Sequence, residues 1–305
     1  MNQFPFGASL QADESDSRAE LHRVLHQPLG LRRRFFLNKL LNAVCIIVSS
    51  VALLPLLSLI VLVVKKGLPL ISWHLFTALP SAPGLTGGGL GNALLGTALM
   101  VGMAMTMATP PGILASIYIC EYQSKSRLAH AVRFTSKILT GIPSVIAGVF
   151  AFGIVVLTMG RFSALAGSVA LAVLALPTII LTTEQALLGV PPSYREASYA
   201  LGASRFETIW RIILPEAMPS ILTGLMLAIA RTAGDAAPLL FTSLSNAYWN
   251  VSPFEQTASL SLLIFNNATR PYDYQIQLAW SASLVLVALV TFTNMVAQRI
   301  FVRRN

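Results

Sequence analysis

An all-α integral membrane protein with six transmembrane helices is the fold class the sequence predicts, on three observations. The chain of 305 residues is 55% apolar and only 11% charged, where a soluble protein carries roughly a quarter charged residues. Its apolar residues gather into runs of about the ~20 residues that cross a bilayer as a helix. Its basic residues cluster at the ends of those runs, and an excess of Lys and Arg marks cytoplasmic loops. The net charge of +9 is therefore read as topology, and no nucleic acid is expected as a partner, because no basic stripe interleaved with aromatics occurs.

Residues 1–38 read as a cytoplasmic polar tail without the apolar core of a signal peptide. Residues 39–304 read as the membrane-spanning domain. Arg32, Arg33, Arg34 and Lys39 lead into span one, about 40–64. A Gly- and Pro-rich external loop follows over 65–90, with a short interfacial helix expected near 71–79. Span two, about 92–120, contains Pro110, Pro111 and Gly112. A membrane helix tolerates such breakers where neighbouring groups satisfy the freed carbonyls. Lys125, Arg127, Arg133 and Lys137 make the next loop cytoplasmic. Spans three and four are expected at about 138–159 and 165–189, and a polar loop at 190–215. Span five is expected at about 218–240, an external loop at 243–276, and span six at 278–300. Arg299, Arg303 and Arg304 close the chain. On this topology both termini are cytoplasmic, and most of the 21 Lys and Arg residues lie on the inside.

Small residues recur every fourth position in three spans: Ala104, Ala108, Gly112, Ser116 and Cys120; Ser136, Thr140, Ser144 and Gly148; Gly224, Ala228, Thr232 and Ala236. Such stripes let helix backbones approach closely in lipid. Two readings stand: packing within the subunit, or a contact with another subunit or with a pathway.

The polar loop carries EASYALGASRFETIWRIILP over 196–215. It reads as a helix near 195–201, a turn at Gly202 where a positive φ is expected, a second helix from about 205, and a break or kink at Pro215. In span five, Arg231 and Asp235 are the informative charges. Arg231 lies about 20 Å past Met218 at ~1.5 Å per residue, beyond the midplane. An arginine there costs on the order of 3 kcal/mol even on the lenient scale, so it is expected to face protein, water or an anion. The pair reads either as an i,i+4 lock on the helix or as the lining of a pathway for an anionic solute. Acid before base is the better order for a helical pair, and this pair runs the other way. Glu184, at the inner end of span four, is explained by snorkelling or capping and is given no site role.

Cys45, Cys120 and four scattered histidines form no ligand set, so no metal or cofactor is expected. There is no nucleophile elbow, no HExxH and no Walker phosphate loop. If ATP is used, another chain must bind it.

The loop has the form EAA-x3-G-x9-I-x-LP, with Glu196, Ala197, Ser198, Gly202, Ile212, Leu214 and Pro215 in register. It resembles the EAA loop of binding-protein-dependent ABC importer permeases, departing only at Ser198, which stands for an alanine. GGGLGNALLGT (87–97), PPGILASIYICEY (110–122), LTGIPSVIAGVFAFG (139–153) and ARTAGDAAPLLFT (230–242) look like the phosphate-specific importers. QTASLSLLIFN (256–266) and QLAWSASLVL (277–286) look like their A-type permease. Where that family commonly carries Glu in span five, this chain carries Asp235.

The resemblance implies a type I ABC importer permease of the bacterial inner membrane that is not itself an enzyme. It implies as partners a paralogous C-type permease, two ATPase subunits and a periplasmic or lipid-anchored phosphate-binding protein. It further implies that 190–215 is an ATPase-coupling loop and that transport proceeds by alternating access. A permease for sulfate, molybdate or phosphonate is the alternative, and a structural or enzymatic membrane subunit is a third reading.

Overall fold

The computed structural model describes residues 28–302, with side chains from 35 to 299. Residues 1–27 of the tail expected over 1–38, and Arg303 and Arg304, lie outside the described residues. Every regular element among the described residues is helical. Five stretches are long and apolar enough to cross a membrane: Phe35–Leu70, Gly91–Tyr122, Ala164–Leu188, Arg205–Gly234 and Asp273–Arg299. A sixth is the bent pair Arg127–Gly141 and Ser144–Met159 taken as one span.

Helix α1 (Pro28–Gly67) forms all but the last turn of the first of these stretches. The chain divides into two units, one ending at Leu62 and the other beginning at Val63. From Phe35 to Leu62 the side chains are exposed on every face of α1. A helix that is apolar all round is suited to hydrocarbon.

In the second unit, α1 ends in a 3-10 turn (Leu68–Leu70), and α2 (Trp73–Thr77) is the expected short helix, capped by Ser72. Helix α3 (Gly91–Ile117) runs unbroken through Pro110 and Pro111 and continues as a wide turn to Tyr122. Its face of Ala104, Ala108, Gly112 and Ser116 is buried. That face meets α6 (Ala164–Leu188) so closely that a Cβ on Gly112 would lie 2.7 Å from Ile179. Ser116 Oγ donates to the Ile180 carbonyl at 2.9 Å. Helix α9 (Leu214–Gly234) packs on α6 in the same way, a Cβ on Gly224 falling 2.3 Å from Thr182 Oγ1. At these positions the small-residue stripes serve packing within the chain, where no hydrophobic force draws helices together in lipid.

Span three is not one helix. α4 (Arg127–Gly141) and α5 (Ser144–Ala151, helical on to Met159) meet at 105°. Pro143 forces its predecessor out of the helical region, and Ile142 is extended at φ −72°, ψ 135°. Span five also differs from expectation. α9 stops at Gly234, Asp235 is extended, and a separate turn, α10 (Ala237–Leu240), follows. Gly148 of α5 lies against that turn, its Cβ position 2.6 Å from Pro238 Cα.

The expected loop over 243–276 holds a helix, α11 (Leu260–Ala268), whose Leu260, Leu262 and Leu263 are buried. The last span is α12 (Asp273–Val302). Asparagines fasten the preceding segment: Asn92 Nδ2 donates to the Asn246 carbonyl at 2.6 Å, and Asn250 Nδ2 to Thr257 Oγ1 at 2.8 Å. Thr97 Oγ1 accepts from the Leu260 N–H at 2.8 Å. Beside it, a Cβ on Gly96 would stand 2.0 Å from the Ala258 carbonyl oxygen. Backbone atoms cannot step aside as a side chain can, so Gly96→Val is expected to cost on the order of 3 kcal/mol. A fluorescence-detected melt of the detergent-solubilised protein measures it, and an unchanged midpoint would rule out the close approach.

Candidate functional site

The loop of 190–215 folds as two helices clasped together. α7 (Pro192–Ala200) begins with a proline at its first position, where no N–H is needed. It ends in a Schellman arrangement: the Ala203 N–H donates to the Ser198 carbonyl and the Gly202 N–H to the Tyr199 carbonyl. Gly202 has φ +81°, as expected of the turn, and nothing stands within 4 Å of where its Cβ would be. Ser204 then starts α8 (Arg205–Thr208) with a capping box, its hydroxyl taking the Glu207 N–H while the Glu207 carboxylate takes the Ser204 N–H.

The departure at Ser198 has a use. Its buried hydroxyl is hydrogen-bonded to Thr208 Oγ1 at 2.8 Å, closing α7 onto α8. Pro215 does not break the chain. A wide turn over Ile209–Ile213 absorbs the missing N–H, and the helix continues to Gly234. Ile212 is half-buried and Leu214 buried, so both anchor the loop to the bundle. Glu196 and Ala197 are exposed, together with Tyr194, Tyr199, Phe206 and Leu201, the last 89% exposed. The loop thus displays several apolar groups at its surface.

Beneath the loop lie four charges that sequence reasoning did not assemble. Arg195 of α7 places Nη2 2.5 Å from Glu121 Oε1 and donates to the Leu187 and Val190 carbonyls at 3.0 and 2.9 Å. The hydrogen bond to Glu121 pushes the Arg195 guanidinium above its ordinary pKa. Arg133 of α4 pairs with Glu184 of α6 and donates to the Ile119 and Ser124 carbonyls, both at 3.0 Å. Glu121 and Glu184 are both buried. Glu184 therefore does not snorkel: it is held inward by Arg133, because a buried carboxylate without a cation would be prohibitively costly.

Arg231 and Asp235 stand some distance from this cluster. Arg231 is 17 residues past Leu214, about 26 Å along α9. The two do not form an ion pair, because the helix that would align them ends at Gly234. Asp235 Oδ1 accepts from Ser144 Oγ at 3.0 Å and from the Ala237 N–H at 3.2 Å. A short side chain reaches its own backbone two residues on, which suits Asp here. Arg231 is exposed and donates to the Thr140 carbonyl at 3.3 Å. Its charge is left uncompensated by any carboxylate among the described residues.

The face of α9 that carries Arg231 is unusual for a membrane helix. Glu216, Ser220, Thr223, Leu227, Arg231 and Gly234 are exposed, while Leu214, Ala217, Ile221, Gly224, Ala228 and Thr232 are buried. The exposed face is thus the polar one. It borders a cleft of about 840 Å³ between α6 and α9, lined by Thr182, Gln185, Ser220 and Thr223 among others. Among the described residues, no three His, Cys, Asp or Glu side chains gather as a metal site.

A family model described as the binding-protein-dependent transport system inner membrane component matches residues 108–305. The phosphate transport system permease protein PstA of Yersinia pestis is 44% identical over 242 residues, covering 79% of this chain and 82% of that protein. The protein of the same name from Xylella fastidiosa is 38% identical over 273 residues, covering 88% and 95%. Among solved structures, a bacterial alginate ABC transporter in complex with an alginate pentasaccharide-bound periplasmic protein aligns at TM-score 0.60 and 19% identity, over 88% of this chain and 97% of that one. An inward-facing MetNI methionine ABC transporter aligns at TM-score 0.54 and 22% identity, over 70% and 93%. The structural likenesses speak for the fold, that of a type I ABC importer permease, and the match across 108–305 joins them to the sequence: this chain belongs to the binding-protein-dependent transport system inner membrane component family.

Proposed function

We propose that this chain is the permease subunit of an ATP-driven importer that moves inorganic phosphate across the bacterial inner membrane by alternating access. The names of its relatives support phosphate as the solute. The observation that carries the reading is the inverted face of α9. Exposed Ser220, Thr223 and Arg231 on a bilayer-spanning helix cannot face lipid cheaply; they suit a watery route. The unpaired guanidinium of Arg231 supplies the positive charge an anion needs on that route, and Asp235, engaged by Ser144 and the Ala237 N–H, holds the helix end open beside it.

The chain is a multi-pass inner-membrane protein and not an enzyme; ATP hydrolysis belongs to separate ATPase subunits of the transporter. In this reading residues 1–38 are a cytoplasmic tail, 39–304 form the permease domain, and both termini face the cytoplasm. The loop of 190–215 then docks into an ATPase through Glu196, Ala197 and the exposed apolar groups around Gly202. The full assembly pairs this chain with a paralogous C-type permease, two ATPases and a phosphate-binding protein.

Reconstituting the complex with and without this chain, and following labelled phosphate, tests the proposal. ATP-dependent uptake is expected only with the chain present, and excess sulfate or molybdate is expected to leave it unchanged. Uptake of those anions in place of phosphate would overturn the choice of solute.

A further inference from the structure

The buried charges under the coupling loop form a reciprocal clamp. Both arginines bridge the same two helix ends. Arg195 holds the Glu121 carboxylate at the end of α3 and the Leu187 and Val190 carbonyls at the end of α6. Arg133 holds the Glu184 carboxylate of α6 and the Ile119 carbonyl of α3. Cations at helix C-termini also meet the negative end of each helix dipole. The α3–α6 junction is thus gripped from one side by α7 and from the other by α4.

Helix α4 is what gives the clamp a consequence. Thr140 lies seven residues beyond Arg133, two turns or about 10 Å along the same helix, and its carbonyl receives Arg231. Three residues past the end of α4, after the Pro143 break, Ser144 holds Asp235. A single helix therefore runs from the 190–215 end to the carbonyl that receives Arg231, and Ser144, which holds Asp235, stands just past its break. Its register against α3 and α6 is set by Arg133.

We infer that the clamp Arg195–Glu121 and Arg133–Glu184 converts movement of the coupling helix α7 into movement of α4, and so resets the surroundings of Arg231 and Asp235 in step with the ATPase. Arg133 and Glu184 are positioning residues that touch no solute. The inference rests on the proposed docking of 190–215 to an ATPase and on the route past Arg231.

The test uses the full complex in proteoliposomes with its solute-binding protein and carries two readouts: phosphate taken up per ATP hydrolysed, and the stimulation of hydrolysis by the binding protein. Glu184→Gln keeps the side-chain size and removes the charge. It is expected to retain ATPase association and basal hydrolysis, while both readouts fall about three- to tenfold, the range in which coupling residues act. Arg133→Lys, which can keep the ion pair but cannot also fork to Ile119 and Ser124, is expected to fall less, and it is the variant measured if Glu184→Gln does not assemble. Arg231→Gln, outside the clamp, is expected to lose uptake and keep stimulation. Uptake and hydrolysis falling together at an unchanged ratio, with stimulation intact, would reduce the clamp to a fold element and overturn the inference. A wild-type complex that accumulates no phosphate yet responds to its binding protein would overturn the phosphate reading alone, and the stimulation ratio would still read the clamp.

Discussion

Arg231→Gln is expected to lower phosphate uptake by about 30-fold while leaving the transporter assembled. The guanidinium has one hydrogen bond within the chain, to the Thr140 carbonyl at 3.3 Å, and is otherwise exposed. A glutamine amide can still donate toward that carbonyl, so the fold loses little, within the ~0.5 kcal/mol typical of exposed substitutions. What it loses is a hydrogen bond from a charged donor to an anion, worth about 2 kcal/mol, which corresponds to a factor of about 30 at 1.4 kcal/mol per decade. Arg231→Lys retains a point charge without the planar fork and is expected to fall between. Initial uptake rates in proteoliposomes, with the co-purified ATPase as the control for assembly, measure the effect. Wild-type kinetics in the glutamine variant would leave Arg231 as a strut for α4 and remove it from the route.

The spans and the turn at Gly202 were legible because their signals are local. Apolar runs of bilayer length place α3, α6 and α12 within a few residues of expectation. Gly202 announces the end of the first helix of the loop, and the second helix starts where it is expected, near Arg205. Pro143 is equally visible inside GIPS, but the apolar run from 138 to 159 has the length of one straight span and hides the 105° bend. Helix α11 escaped because a run of nine residues is too short to cross a bilayer, and only its burial against the bundle makes it helical. The i,i+4 lock between Arg231 and Asp235 needs an unbroken helix, and the extended backbone at Asp235, where Gly234 and Pro238 allow distortion, separates the two. The clamp could not be read from the chain at all. Its partners are 51 and 74 residues apart, and Glu184 resembles any acid at the end of a span until the fold brings Arg133 over it.

Gly202→Val is expected to uncouple the transporter for a reason that can be isolated. Its φ of +81° lies in the left-handed region, where a β-branched residue is strained by about 1–3 kcal/mol. No neighbour lies within 4 Å of the Cβ position, so the cost is conformational and not steric. The chain can relieve it only by giving up the bonds from the Gly202 and Ala203 N–H groups to the Tyr199 and Ser198 carbonyls. That unwinds the end of α7 and turns Leu201, almost fully exposed, away from its present direction. Because the change is confined to the exposed tip, the membrane helices are expected to fold normally. ATPase co-purification is expected to weaken, and uptake to fall by about tenfold. Gly202→Asn separates backbone conformation from side-chain presence, since asparagine enters the left-handed region with little penalty. It is expected to retain most of the uptake despite its larger side chain than alanine. Equal losses in the valine and asparagine variants would mean that the tip is sensitive to bulk against its partner, and that the positive φ is not what the 190–215 loop requires.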